Sequence, residues 1–203
     1  MHDGGMDAAP LTDRPPERIV LDDLVVRRWR PSDAGALDQA VKESFAELHE
    51  WMAWAADLPA EADHAAYLAE RDRLWADGTE FAYGIFAAGG DRDGAPVLGG
   101  TVLHVRPPVT CEIGYWVHSA YTGRGIATRV AAALVRAAFA DPGVERVEIR
   151  CDAANDSSAS VARRLGFLLE RTVERPPAAP GDTGRDLCWL LTPDDLREGR
   201  ARL

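Results

Sequence analysis

The stretch Cys111–Phe139, CEIGYWVHSAYTGRGIATRVAAALVRAAF, changes period in its middle. CEIGYWVH reads as a strand, and TRVAAALVRAAF reads as a helix with Ile126, Val130, Leu134 and Ala137/Ala138 along one side. Between them SAYTGRGIA places Gly123 and Gly125 at the strand-to-helix junction. A helix N-terminus carries unpaired amide N–H groups and a partial positive charge. A loop of small residues ahead of it brings those amides up to a phosphate. Gly123, Gly125 and Ala127 supply the smallness, and Arg124 adds a cation. A tight strand–helix turn that uses glycine for its own geometry is the plainer alternative.

The rest of the chain limits the choices. Its 203 residues are close to one ordinary domain, and 46% of them are hydrophobic, enough for a substantial core. The formal charge of −10 and sequence pI near 4.9 argue against nucleic acid, which requires a cationic surface. Acidity favours basic or amine-bearing partners, or serves solubility alone. Cys111, Cys151 and Cys188 are scattered, with no C-x-x-C pair and no zinc-like spacing. They suit reduced, buried thiols in the cytoplasm, and no metal is expected. MHDGGMDAAP has neither the basic nor the apolar part of a secretory signal. No apolar run reaches the ~20 residues of a membrane span.

Working outward, residues 1–18 are rich in Gly, Pro and Asp and are expected to be a flexible leader, with one domain over 19–203. LVVRRW at 24–29 is a short strand, stopped by Pro31, with Ser32 and Asp33 as helix caps. Helical spacing runs from Ala34 to Ala56, and after Pro59 from about Glu61 to Ala76. In the second helix Tyr67, Leu68, Arg71, Leu74 and Trp75 mark the buried face. EFAYGIFAA and PVLGGTVLHV are strands joined by the turn-rich GGDRDGA, and 111–118 is the third of the group. After the helix from Ile126 to about Ala140 come a strand at 145–151, a short helix ended by Gly166, and strands FLLERTV and DLCWLLT. A capped terminal helix starts at Thr192-Pro193. This order predicts an α+β fold with a mixed, mostly antiparallel sheet flanked by helices.

Three phosphate-binding patterns compete for the glycine loop. A P-loop requires G-x-x-x-x-G-K-[ST], which is missing. A dinucleotide fingerprint requires G-x-G-x-x-G/A directly after a strand. Here Thr128 takes the last position and His118 to Thr122 intervene. YTGRGIA instead resembles the Q/R-x-x-G-x-G/A segment of the GNAT superfamily of acyl-CoA-dependent N-acetyltransferases. Gly125 and Ala127 hold its small positions, and Thr122 stands where Gln or Arg is usual. EIGYWVH ahead of the loop, and RVEIRCDAANDSSASVARRLGF after it, resemble the RimJ/RimL-like branch, the ribosomal-protein N-terminal acetyltransferase type. Its N-x-x-S pattern and L-G-F helix end are matched by Asn155, Ser158, Leu165, Gly166 and Phe167. The likeness covers about residues 20 to 196.

The resemblance implies the GNAT fold and acetyl-CoA as acyl-donor co-substrate. The cofactor pyrophosphate would lie on the amides from Gly123 through Arg124, Gly125 and Ile126 to Ala127. The strand before the loop would bulge and splay from the next. The pantetheine arm would pair with backbone near Trp116 and Val117 and be bonded by Asn155, which could equally be a helix cap. The amide of Val117 would serve the oxyanion. Ser158 would meet the departing sulfur, or cap its helix as serines there commonly do.

The acceptor amine must be neutral to attack, and free amines have pKa values of about 8 to 10.4. Glu112, on the strand holding the thioester and on the face of Gly114 and Trp116, is the first candidate base. Glu148 and His118 are weaker ones, and a solvated or ion-paired Glu112 is the alternative. Trp51 and Trp54 fall where the branch builds its acceptor cleft, or else pack a helix core. RPPAAPGDTGRD is long enough to be a rim or lid. The expected acceptor is a small-molecule or peptide amine, with no nucleic acid and no membrane as partner; a homodimer stays open. Another donor such as succinyl-CoA, or a regulatory CoA-binding module without turnover, also stays open.

Overall fold

The computed structural model describes residues 11–90, 92–106 and 109–203. One eight-stranded sheet carries the molecule, in the order β1-β2-β3-β4-β5-β6-β8-β7. Strand β1 (Arg18–Leu21) turns at Asp22, whose φ is 45°, into β2 (Leu24–Arg28). β3 (Glu80–Ala87), β4 (Val97–Arg106) and β5 (Thr110–Val117) follow as an antiparallel meander. β6 (Arg146–Asp152) joins β5 in parallel, and β8 (Arg185–Leu191) lies antiparallel between β6 and the edge strand β7 (Leu168–Glu174).

The parallel pair requires a crossover, supplied by α4 (Ile126–Ala138). Val130, Ala131, Leu134, Val135 and Ala138 are buried on its inner side, the 3.6-residue stripe seen in the sequence. With α5 (Asp156–Leu165) it covers one face of the sheet, over Leu103, Ile113, Val147 and Ile149. α1 (Ala34–Glu43), α2 (Phe45–Trp51) and α3 (Glu61–Asp77) cover the other, over Ala82, Phe86 and Trp116. A short α6 (Pro193–Arg197) starts at the Thr192 cap.

Several expectations need correction. The helix expected over Ala34–Ala56 is broken at Ser44, which is buried. Ser44 Oγ accepts the amide of Ser119 at 3.1 Å, so the break serves the chain just before the glycine loop. In α3, His64, Leu68 and Trp75 are buried, whereas Tyr67 is 42% exposed. Asp33 does not cap α1 with its side chain, which turns back to Arg27 and to the amide of Arg30. Residues 1–10 of the expected flexible leader lie outside the described residues. The described part is held: Asp13 N bonds Asp141 at 2.8 Å, and the Tyr83 hydroxyl bonds Pro16 O at 3.2 Å. Arg14 donates to the carbonyls of Trp75 and Ala76 at the end of α3, where a helix favours a cation.

Candidate active site

The register between β5 and β6 runs only from Thr110↔Arg146 to Ile113↔Ile149. Beyond it β6 continues on β8 and β5 continues on β4, so the two strands part. The amide of His118 points to β4, bonding Leu98 O at 2.9 Å. By alternation, Trp116 and Gly114 also face β4, while the N–H and C=O of Tyr115 and Val117 face the gap. The splay is therefore present, but the expected bulge in β5 is not. β5 keeps an unbroken register against β4, and the irregularity lies in β4 opposite Ile85/Phe86. Of the two residues expected at the cofactor arm, Val117 turns its amide to the gap. Trp116 packs against Gly100, where an added Cβ would come within 2.6 Å of Nε1.

The glycine loop is open on the outside. Gly123 and Gly125 have φ of 73° and 72°, and a Cβ on either would find nothing within 4 Å. Among the described residues no backbone bond engages the amides of Gly123, Arg124 or Gly125, while Gly125 O accepts the first helical bond from Arg129 at 3.1 Å. The left-handed turns thus aim unpaired amides outward at the α4 N-terminus, and the space in front of them fits a pyrophosphate. Ile126 and Ala127 contribute backbone only, since the Ile126 side chain is in the core. Thr122 bonds its own turn through Ser119 O at 3.0 Å. Arg124 folds back onto Ala120 O at 3.0 Å and over the Tyr121 ring.

A cleft of about 600 Å³ passes through the parted strands. Glu112, Trp51, Met52 and Arg106 line one side; Tyr115, Cys151, Asn155 and Ser158 line the other. A larger cavity of about 690 Å³ lies across the glycine loop beside Arg92, Arg124 and Arg129. It holds none of the candidate catalytic groups. Trp51 lines the cleft, whereas Trp54 does not and is 49% exposed.

Asn155 is the N-cap of α5, its Oδ1 accepting the amide of Ser158 at 3.0 Å. That is the cap alternative, and it leaves the amide Nδ2 as a donor for a ligand. Ser158 is thereby freed from capping. Its Oγ instead lies 3.0 Å from the Tyr115 hydroxyl. Sequence reasoning missed Tyr115, and β5 alternation offered the only signal, by placing it opposite in facing to Glu112.

Glu112 lies beside Arg106 Nε at 3.3 Å and Arg150 Nε at 3.9 Å. Glu148 is buried and bonded to Arg150 at 3.0 Å, and Arg171 lies 3.4 Å away. His118 is committed to structure: Nδ1 accepts from Ala120 N at 3.1 Å, and Nε2 faces Glu43 at 3.0 Å. The long loop is a pinned rim. Gly181 N bonds Glu50 O at 2.9 Å, and Asp152 accepts Thr183 N at 3.0 Å and Arg185 N at 3.2 Å. Burial would raise the Asp182 carboxyl, but bonds from Arg175 and the loop backbone hold it well below the usual carboxylate range.

A mixed sheet that parts beside a glycine-turned helix N-terminus defines an acyltransferase of the CoA-dependent type. Residues 23–168 match the acetyltransferase (GNAT) domain family, and the chain belongs to that family. Its chemistry is acetyl transfer from acetyl-CoA to an amine. The chain is 28% identical over 151 residues to YdaF of Bacillus subtilis (strain 168), a candidate ribosomal N-acetyltransferase, covering 72% of this chain and 79% of that one. It is 38% identical over 61 residues to the ribosomal-protein-serine acetyltransferase of Escherichia coli (strain K12), covering 30% and 34%. The structure of RimL, a ribosomal L7/L12 α-N-protein acetyltransferase in complex with CoA, superposes with a TM-score of 0.77 at 23% identity. That match covers 86% of this chain and 96% of RimL.

Proposed function

We propose that this enzyme acetylates the α-amino group of a peptide or protein N-terminus, or of a small amine resembling one. The observation that carries the reading is the through-sheet cleft, with Asn155 and Ser158 on one side and Glu112 and Trp51 on the other. Relatives named for ribosomal-protein acetylation support a peptide acceptor. Acetyl-CoA supplies the activated acyl carbon. The amides of Gly123 to Ala127 hold its pyrophosphate, Asn155 Nδ2 its arm, and the Val117 amide the carbonyl oxygen. Ser158 donates to the sulfur as negative charge gathers there, and Glu112 takes the amine proton through water. The arginines of the cleft are paired: Arg106 with Glu112, Arg150 with Glu148, and Arg175 with Asp186. Among the described residues that leaves no unpaired arginine in the cleft for an acidic acyl group, which favours acetyl over succinyl.

An amine panel at neutral pH tests the acceptor. Peptide N-termini, with pKa near 8, should outpace lysine side chains near 10.4, because less deprotonation is required. A panel in which hydroxyls or thiols beat every amine ends this reading. Glu112→Gln should lower kcat/KM and move its pH dependence upward, as the variant then relies on amine already neutral in solution. An unmoved profile removes Glu112 as base. Ser158→Ala should lower kcat about 10- to 100-fold with little change in acetyl-CoA binding, the range for a hydrogen bond to a charged group. Wild-type kcat in that variant would return Ser158 to a packing role.

Among the described residues no helix is long and apolar enough to cross a membrane. The three cysteines are free and buried, which fits a reducing cytoplasm. The homodimer is tested by sedimentation at assay concentration, where a monomer ends that expectation.

A further inference from the structure

We propose that Tyr115 is a positioning residue that turns the Ser158 hydroxyl toward the leaving sulfur, acting through the serine and not on substrate. The inference rests on the assignment of Ser158 to the sulfur made above. The Tyr115 hydroxyl lies 3.0 Å from Ser158 Oγ and 3.3 Å from the Ser158 carbonyl oxygen. The two residues are 43 positions apart and meet only because β5 and β6 part and α5 starts at the gap. Both line the cleft.

A serine hydroxyl has one proton and two lone pairs. At the third position of a helix that proton readily returns to a backbone carbonyl one turn earlier, where it is lost to catalysis. The Tyr115–Oγ contact can carry either proton; with the phenol as donor a lone pair of Oγ is occupied, and the serine proton is left for the cleft, where Cys151 Sγ accepts it until a ligand sulfur takes its place. Donors in series also polarise one another, so the bond offered to an anion is stronger than that of a lone serine. The ring body is wedged against the main core, which fixes the hydroxyl without a further tether.

The phenol gives a hydrogen bond and keeps its proton. Burial pushes Tyr115 up to about 12. A thiolate, with a parent pKa near 8.5, is too weak a base to remove that proton. In the transfer step the carbon–sulfur bond breaks with its electron pair going to sulfur. The new carbon–nitrogen bond uses the amine's pair, and the amine's proton leaves through Glu112 and water. Tyr115 and Ser158 end the step as they began it.

Tyr115→Phe removes only the hydroxyl and keeps the ring in its packing. Two readouts apply: steady-state kinetics, and the ultraviolet titration of the thiol of bound CoA, which needs no acceptor. The variant should lose about tenfold in kcat, with KM for acetyl-CoA within about twofold. The thiol of bound CoA should titrate about one unit higher than in the wild type, the same tenfold effect at equilibrium. The Tyr115→Phe/Ser158→Ala double variant should fall no further than Ser158→Ala alone. A Tyr115→Phe enzyme with wild-type kcat and thiol titration overturns the proposal, as do losses that multiply in the double variant. If Ser158→Ala leaves both readouts unmoved, the sulfur assignment falls and this inference with it. A silent Tyr115→Phe beside a damaging Ser158→Ala sinks this inference alone.

Discussion

Gly125→Val should bind CoA at least about 100-fold more weakly than the wild type while remaining folded. Two separate features of the loop lead there. Gly125 holds φ of 72°, and a Cβ placed on it meets nothing within 4 Å. The protein itself therefore accommodates the side chain, and the intramolecular cost is the left-handed backbone, about 1–2 kcal/mol. The space that receives the valine is the space a pyrophosphate requires. A relaxation of φ toward negative values would also swing the amides of Gly125 and Ile126 away from it. Hydrogen bonds to charged groups are worth about 1.5–3 kcal/mol each, so the loss of two exceeds the 2.7 kcal/mol that corresponds to about 100-fold. Gly125→Ala should fall between the two, with the strain and less of the obstruction. Calorimetric titration with CoA, beside a thermal melt, separates binding from folding. Unchanged affinity in Gly125→Val would show that phosphate does not lie on these amides.

The loop was readable because its signal is local. Period change, two glycines and a following apolar stripe lie within one window, and the helix, its N-terminus and the open amides follow from them. Asn155 and Ser158 stood out only through the N-x-x-S pattern of the resemblance; their local signal, three residues apart at a helix start, reads as a cap. What stayed hidden depends on contacts far along the chain. Ser44 breaks a continuous helical pattern to reach Ser119, 75 residues away. β1 has only four residues, too few to show an alternation, and goes unread between the leader and β2. Trp51 and Trp54 carry the same composition signal. Only the short turn at Ala53–Ala55 decides that one enters the cleft and the other faces solvent. The strand splay, too, leaves no mark on either strand's own residues. It shows only in the pairing: past Ile113 and Ile149 β5 stays on β4 and β6 stays on β8, each on its far edge, and the edge between them opens.

Asp33→Ala should be the most destabilising single change outside the apolar core, at about 3–5 kcal/mol. The Arg27 guanidinium meets both oxygens of Asp33, at 2.8 and 2.9 Å, and the two side chains are 3% and 0% exposed. Arg27 Nε also donates to Gly90 O at 3.1 Å, and the group lies 4.0 Å above the Phe86 ring. Asp33 in turn accepts the amide of Arg30 at 2.8 Å. One buried pair thus ties β2, the entry to α1 and the β3–β4 turn together. Removing the carboxylate leaves a desolvated cation with only the carbonyls of Gly90 and Arg28 as partners and no counter-charge, which is why the loss far exceeds that of an exposed ion pair. The melting temperature should drop by roughly 6–20 °C for a chain of this size, and the urea midpoint should fall with an unchanged slope. Asp33→Asn, which keeps one acceptor, should lose less. Arg27→Met/Asp33→Leu should recover much of the stability, because both charges leave together. If Asp33→Ala costs under about 1 kcal/mol, water reaches Arg27 in solution and the pair is no different from those at the surface. The site lies on other elements, so kcat of the folded fraction should stay at the wild-type value, separating this loss from that of Gly125→Val.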